Sequence, residues 1–327
     1  MAMTLAEIKK GMSDKVFDKI VDIFLRESEI LQLLPFDDCV SAVGGGSTMK
    51  YKYLRKVLPA VAQFRKLGGE YTASAATKEE VEAALAIMGG EVQLDRVLNK
   101  VAGKWDNLEY QITEHVRAVV SLFHHTLING DAVATAATDK PEFEGLDSML
   151  AGTSTEFNAE GSIDLSDITA VKANADEFYE ALTLLIKSTN ADALLLNTNM
   201  ITKIQTVARI LGYKTESEEA FGKKVTSIDG VRMMDMKNHY TVQGGVAVPN
   251  SVVKVNSGST DIYAVKFDVN DGFHGISLNG SAVIEQYLPN FNDPGVMKKA
   301  EVEMIAATVL KNTQHSGVLR NIKIAKA

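Results

Sequence analysis

The residue types that carry chemistry are sparse in this sequence and poorly spaced for it. His124 and His125 sit side by side in a stretch of helical spacing, so their side chains point about 100° apart and cannot share a metal on one face. His115 lies nine residues upstream of His124, and no His-Glu-x-x-His pattern occurs. The run from Asp268 through Asn270 and Asp271 to Gly272 is like a calcium loop, but its glycine comes one position early and Asn279 stands where a bidentate glutamate is needed. Gly44-Gly45-Gly46-Ser47-Thr48 leads into a strand pattern, whereas a phosphate cradle needs a helix N-terminus there. Ser47 with Lys50, and Ser251 with Lys254, match the Ser-x-x-Lys nucleophile pattern, but neither has a recognisable base and orienting acid. The Glu79-Glu80 pair lies in a polar stretch, far from any apolar pocket. No catalytic, metal-binding or cofactor-binding residue is therefore assigned, and the chain is expected not to be an enzyme.

The elements that must position these residues change period along the chain. Residues 4 to 34 read as two helices forming an amphipathic arm. Thr4-Leu5-Ala6-Glu7 is a capping-box pattern, and Leu5, Ile8, Met12, Val16, Ile20 and Phe24 recur at helical spacing until Pro35. After Gly46 the spacing becomes that of a strand: Met49, Tyr51 and Tyr53 alternate with Lys50 and Lys52. A return arm follows Gly68-Gly69, with Val81, Ala83, Leu85 and Ile87 alternating, Gly89-Gly90 breaking the run, and Val92 and Leu94 resuming it. Charge is segregated across this hairpin. Residues 47 to 67 hold six basic residues and no acid, whereas residues 78 to 96 hold five acids against two bases. Opposite charges on facing strands contribute a few tenths to about 1 kcal/mol each. Each arm could reach roughly 60 Å at about 3.3 Å per residue, and a lone two-stranded ribbon is marginal in water. The arm and the hairpin both need something to lie on.

Asp106 to Asn129 is the clearest helix, with Leu108, Ile112, Val116, Val119, Phe123 and Leu127 on one face and Asn129-Gly130 expected as a left-handed cap. From Asp164 the rhythm becomes α/β. Leu165 to Leu185 and Met200 to Leu211 read as helices, the second closed by Gly212, and residues 193 to 196 as a short buried strand. Asp229-Gly230 marks a tight hairpin between residues 225–228 and 231–236. Residues 246–248 and 262–267 read as strands, and the C-terminal portion alternates repeatedly through Val302, Met304, Ala306, Thr308 and Leu310.

Composition closes off several function classes. The chain has 327 residues, 46% hydrophobic and 23% charged, which excludes disorder over most of its length. Its unbroken apolar stretches are only a few residues long, so no segment is expected to cross a bilayer as a helix. A net charge of −8 disfavours tight wrapping of nucleic acid but not its enclosure. The single cysteine, Cys39, cannot form an intrachain disulfide. The N-terminus carries no signal-peptide pattern, so a cytoplasmic origin is expected.

An amphipathic arm, a long charged hairpin, a long helix, an α/β region and a strand-rich C-terminus, in that order, resemble the major capsid proteins of tailed phages with the Hong Kong 97-type fold. Within that group the chain is similar to the epsilon-fifteen-like branch. The motifs that carry the likeness are residues 31–36 ending in Leu-Leu-Pro-Phe, Leu127 to Asp131, Phe143 to Leu146, and Asp261 to Phe267 followed by Gly272 and Gly275. The resemblance implies an α+β fold with an N-terminal arm (1–43), an extended β-hairpin loop (44–98) and a peripheral domain with a spine helix (99–163). An α/β axial domain (164–269) and C-terminal strands completing the peripheral domain (270–327) would follow. It also implies self-assembly into hexamers and pentamers of an icosahedral head, with no cofactor and no membrane. The head would enclose double-stranded DNA without sequence-specific binding, as part of a virion assembled in the host cytoplasm. A portal and a decoration protein are implied as further partners. Met1 stands three residues before the capping box, so a separate scaffolding protein and no maturation cleavage are expected. Candidate intersubunit contacts are Lys50, Tyr51, Lys52, Tyr53, Arg55, Glu79, Glu80, Glu82 and Ile87 on the hairpin, with Phe17 and Phe24 on the arm. The rivals are an encapsulin-like bacterial compartment, which shares the fold, and a hydrolase using Ser47 or Ser251.

Overall fold

The computed structural model describes residues 29–39, 49–95, 107–159, 162–212, 216–220, 223–244, 246–278, 283–290 and 294–325. The capping box, the arm's apolar stripe with Phe17 and Phe24, the glycine run and Ser47 lie outside the described residues.

Two sheets and three long helices carry the core. Helix α1 (Glu29–Leu33) leads into β1 (Phe36–Asp38), and the hairpin follows as β2 (Lys50–Leu58) and β3 (Thr77–Ala84). Next come β4 (Ala86–Asp95) and helix α2 (Asn107–Asn129). The stripe Ile112, Val116, Val119, Phe123 and Leu127 is buried, as its spacing of three and four residues requires of a helix packed on a sheet. The sheet beneath it is built around β16 (Met297–Leu310), which pairs antiparallel with β4 along ten positions from Met297–Asp95 to Ala306–Ala86. Its other side is shared by β15 (Ile284–Tyr287) and β14 (Phe273–Ser277), and β1 joins β14 in parallel.

The second sheet has eight strands and is covered by α5 (Ile168–Thr189) and α6 (Thr198–Leu211), which follow the short helices α3 (Ala132–Thr135) and α4 (Leu146–Leu150). Its centre is β6 (Ala193–Leu196), all four residues buried. Alternation along β6 splits the core: Ala193 and Leu195 pack with α2, while Leu194 and Leu196 pack with α5 and α6. One strand thus belongs to both hydrophobic clusters, which fixes the two halves against each other. β6 is flanked by β9 (Val231–Asp235) in parallel and by β13 (Ser259–Val265) antiparallel. β17 (Ser316–Lys323) continues the sheet on β13 and accepts β5 (Glu156–Asn158). The last strand of the expected peripheral segment therefore sits in this sheet and not in the one under α2.

Local signals explain most element ends. Asp167 caps α5 by accepting from the Thr169 and Ala170 amides, and Gly212 closes α6 at φ 77°. Asp229 (φ 51°) and Gly230 (φ 77°) make the tight turn between β8 (Lys223–Ile228) and β9. Two glycine expectations need correction. Gly130 is not a left-handed cap: it has no positive φ, and a Cβ there would come within 2.7 Å of the Thr126 carbonyl and strike the Phe143 carbonyl. It lets the chain after α2 pass close to the residues around Phe143. Gly89 and Gly90 do not break a strand either; both lie inside β4. A Cβ at Gly89 would sit 2.6 Å from the Val302 carbonyl, and one at Gly90 would strike the His115 ring of α2. The pair lets helix and strand approach closely, a role that Gly fills for lack of a Cβ.

Candidate assembly interface

The hairpin stands as its own two-stranded sheet, with β2 and β3 paired from Lys50–Ala84 outward to Leu58–Thr77. Only residues 50–84 belong to it. The described remainder of the 44–98 span, residues 86–95, is β4 on the body. The charge segregation seen in the sequence becomes a ladder on one face. Lys50 Nζ lies 2.6 Å from Glu82 Oε1, and Lys52 Nζ lies 2.8 Å from Glu80 Oε1 and 4.0 Å from Glu82 Oε2. The hydrogen bond from Lys50 holds the Glu82 carboxyl below its ordinary range, and Glu80 raises the Lys52 ammonium above its own. All four side chains are exposed, so solvent screens each pair and its contribution to stability is small. Glu79 is exposed opposite Arg55 in the register.

The other face of the hairpin's foot rests on its own subunit. The Tyr51 hydroxyl donates to Asp37 Oδ2 at 2.7 Å, and the Lys311 ammonium lies 5.3 Å from the Tyr51 ring centroid. Burial, then the Asp37 bond, pushes the Tyr51 hydroxyl far above its usual pKa. Tyr53 donates to the Leu310 carbonyl at 3.3 Å, while Arg55 donates to the same carbonyl at 2.9 Å, to the Lys311 carbonyl at 3.3 Å and to the Tyr53 oxygen at 3.1 Å. Lys50, Lys52, Glu80 and Glu82 are thus partnered across the ribbon, and Tyr51, Tyr53 and Arg55 are engaged with the body that carries them. Ile87 is 58% exposed and belongs to β4, on the sheet face turned away from α2.

Beyond Leu58 the ribbon loses regular pairing, and residues 59–76 form an exposed tip. Val61, Phe64, Leu67 and Tyr71 are open to solvent there, joined by Val57 and Leu58 of β2. These apolar side chains were not singled out from the sequence, although Val57, Val61, Phe64, Leu67 and Tyr71 recur at intervals of three and four residues. That spacing is the pattern of an amphipathic helix, yet the segment forms no helix and its apolar residues stay exposed. A patch of this kind marks an interaction surface more often than a free one.

A second ribbon projects elsewhere. Among the described residues, β10 (Asn238–Gln243) and β11 (Val246–Ser251) pair only with each other. Their foot is fixed on α2: Ser121 Oγ and His239 Nδ1 are 3.1 Å apart, the His125 and His239 rings lie 5.0 Å apart, and Asn129 Nδ2 donates to the Val252 carbonyl at 2.8 Å. Burial, with His239 and Lys254 nearby, lowers His125 to about 4, and burial beside Lys237 lowers His124 to about 4. Both imidazoles are neutral near pH 7. The other candidate chemistry dissolves into local structure. Asp268 accepts from the Asn270 amide at 2.8 Å, a turn, and Ser251 donates to the Val253 carbonyl at 2.8 Å. Among the described residues, no group of three or more His, Cys, Asp or Glu is placed to hold a metal, and no helix is long and apolar enough to cross a membrane.

No protein-family model and no curated protein sequence matches this chain. Solved structures do match its fold. The holo-SrpI encapsulin complex from Synechococcus elongatus PCC 7942 aligns with TM-score 0.58 at 14% identity, covering 90% of this chain and 87% of that one. The capsid of a native GTA particle aligns with TM-score 0.58 at 9% identity, covering 89% of both chains. The capsid of Myoviridae phage XM1 aligns with TM-score 0.53 at 12% identity, covering 89% of this chain and 90% of that one. The mixed α+β fold is therefore the Hong Kong 97-type fold shared by phage capsid and encapsulin shell proteins.

Proposed function

We propose that this chain is the major capsid protein of a tailed phage, in the epsilon-fifteen-like branch, whose hexamers and pentamers close an icosahedral head around double-stranded DNA. The observation that carries the reading is the β2–β3 hairpin on a shell-protein fold. It is anchored at its foot, laced along its length, and ends in an apolar tip that none of the described residues covers. A ribbon so built reaches across a neighbour, and repetition over a closed symmetric shell turns modest contacts into a stable container. In this reading residues 50–84 supply the extended loop, 164–269 most of the axial domain, and 99–163 with 270–327 and β4 most of the peripheral domain. The arm of residues 1–43, with Phe17 and Phe24, crosses to another subunit. Glu79 on the hairpin and Ile87 on β4, both exposed, join the tip in contacting the neighbour. A scaffolding protein, a portal and a decoration protein are its expected partners, and the virion its place.

The encapsulin match supports a second reading, a bacterial compartment shell with the same fold and an enzyme cargo. Electron microscopy of particles purified from the native source, with a nuclease-protection assay, separates the two. Protected double-stranded DNA together with a portal vertex supports the phage head. Particles filled with a host enzyme and no DNA support the compartment.

A further inference from the structure

The tip of the β2–β3 hairpin carries the sequence of a helix without forming one. Val57, Val61, Phe64 and Leu67 recur at intervals of three and four residues. Wound as a helix at about 100° per residue, they share with Ala60 an arc of roughly 120°, and Gln63, Arg65 and Lys66 fall outside it. The end signals are present too. Pro59 suits a first helical position, and Leu58 before it is extended, as an N-cap is. Ala, Gln, Arg, Lys and Leu, the best helix formers, make up most of residues 60–67. Arg65 and Lys66 would lie in the last turn, where cations stabilise a helix. Gly68 stands where a left-handed residue closes one. It already has φ 80°, in a turn in which the Gly69 amide donates to the Lys66 carbonyl at 3.0 Å.

The helix is absent because nothing among the described residues covers its face. Val61 is 64% exposed, and Phe64 and Leu67 are fully open. Side chains alone bridge the two sides of the tip: Ser74 Oγ accepts from the Val61 amide and donates to its carbonyl, and Gln63 Nε2 donates to the Thr72 carbonyl at 3.2 Å. A nine-residue helix is marginal in water, since nucleation is costly and only burial of an apolar face offsets it. We propose that residues 59–67 fold into an amphipathic helix when the hairpin docks on a neighbouring copy. That the hairpin touches a neighbour belongs to the shell reading, on which this inference rests; the state its tip takes there is the addition. Chain length permits it. The helix would span about 14 Å, and residues 68–76 can reach about 30 Å, so the chain still returns to Thr77 opposite Leu58. Charge favours a copy as the cover. All 42 acidic residues lie outside residues 47–67, which hold six of the 34 bases, so Arg65 and Lys66 meet an acidic excess on another copy. Nucleic acid would pair with those two cations and leave the apolar stripe in water.

The test places nitroxide labels at Ala62→Cys and Lys66→Cys, both outside the apolar arc, in the full chain with Cys39→Ser. Four residues span about 6 Å in a helix and about 13 Å when extended. Electron spin resonance is expected to show the longer spacing in free subunits and the shorter in assembled particles. An unchanged spacing, or a short one in both, would overturn the proposal. Two further variants, without labels, both lose the Gln63 bond to Thr72, but Gln63→Ala favours a helix and Gln63→Pro forbids its interior. Both are expected to keep the subunit's melting temperature, with closed-particle yield lower for Gln63→Pro by about tenfold or more. Equal yields would overturn the proposal. If the unaltered chain forms no particles, the shell reading fails by itself. The labelled subunit in dodecylphosphocholine micelles then still decides the helix: a shortened spacing that Gln63→Pro abolishes supports it, and an unchanged one overturns it.

Discussion

The two ribbons of this molecule solve one problem in opposite ways. Among the described residues, each is a two-stranded sheet with no third strand. The β2–β3 hairpin specifies its pairing with cross-strand Lys–Glu contacts and fixes its foot through Tyr51, Tyr53 and Arg55. The β10–β11 ribbon carries no charged residue and depends on a histidine, an asparagine and α2 at its root. A charged ribbon keeps its register and its solubility before it finds a neighbour. An uncharged one gives up that insurance for a face that can be buried without desolvating ions.

The sharpest way to break the comparison is to remove one ribbon's tip. Replacing residues 59–76 with Asn-Gly is expected to leave a soluble, cooperatively melting subunit and to abolish closed particles. Sedimentation and calorimetry read the two outcomes separately. Failure to fold would instead place the tip in the core.

Acid is expected to separate the ribbons next. His124 and His125 have folded pKa values of about 4 against 6.5 when unfolded, so the unfolded state binds more protons between those values. Stability is unaffected above pH 6.5, falls as pH drops through that window, and levels off near 4. A tenfold difference in proton affinity between the folded and unfolded chain is worth about 1.4 kcal/mol, and solvent screening at the half-exposed His125 makes its share of the loss smaller than that of His124. Melting curves from pH 7.5 to 4.5 check this, and His125→Gln should flatten them. A charged His125 would face His239 and Lys254, and a charged His124 would face Lys237, so amide exchange in residues 238–252 should rise first.

Smaller effects follow. Asn129→Ala removes the bond to the Val252 carbonyl and should cost about 1 kcal/mol, read by denaturant unfolding. Lys52→Gln removes an exposed ion pair and should lower the denaturant midpoint only slightly, and the difference should vanish in high salt.

Much of the fold was legible because its signals are local. The stripe on α2, the cap at Gly212 and the Asp229-Gly230 turn each follow from neighbouring residues. The hairpin was legible from alternation and charge segregation. What a strand pairs with was not. Alternation runs on from Val81 to Val92, yet the chain leaves the hairpin at Leu85 and joins β16 across more than two hundred residues of sequence. Gly89-Gly90 and Gly130 read as breaks, because the His115 ring and the Phe143 carbonyl that crowd them come from other elements. The hairpin tyrosines were legible as aromatic residues on one face, but their partners Asp37 and Leu310 are distant in sequence. The β10–β11 ribbon announces itself only by what it lacks, a charge, and motif reading does not look for absences.

The most direct test of the shell function is electron microscopy of the full chain purified at increasing concentration. A shell-forming subunit gives hexameric rings, curved sheets or closed icosahedral particles, and these disappear when residues 59–76 are replaced. A chain that stays monomeric at every concentration, or assembles equally well without that tip, would contradict it.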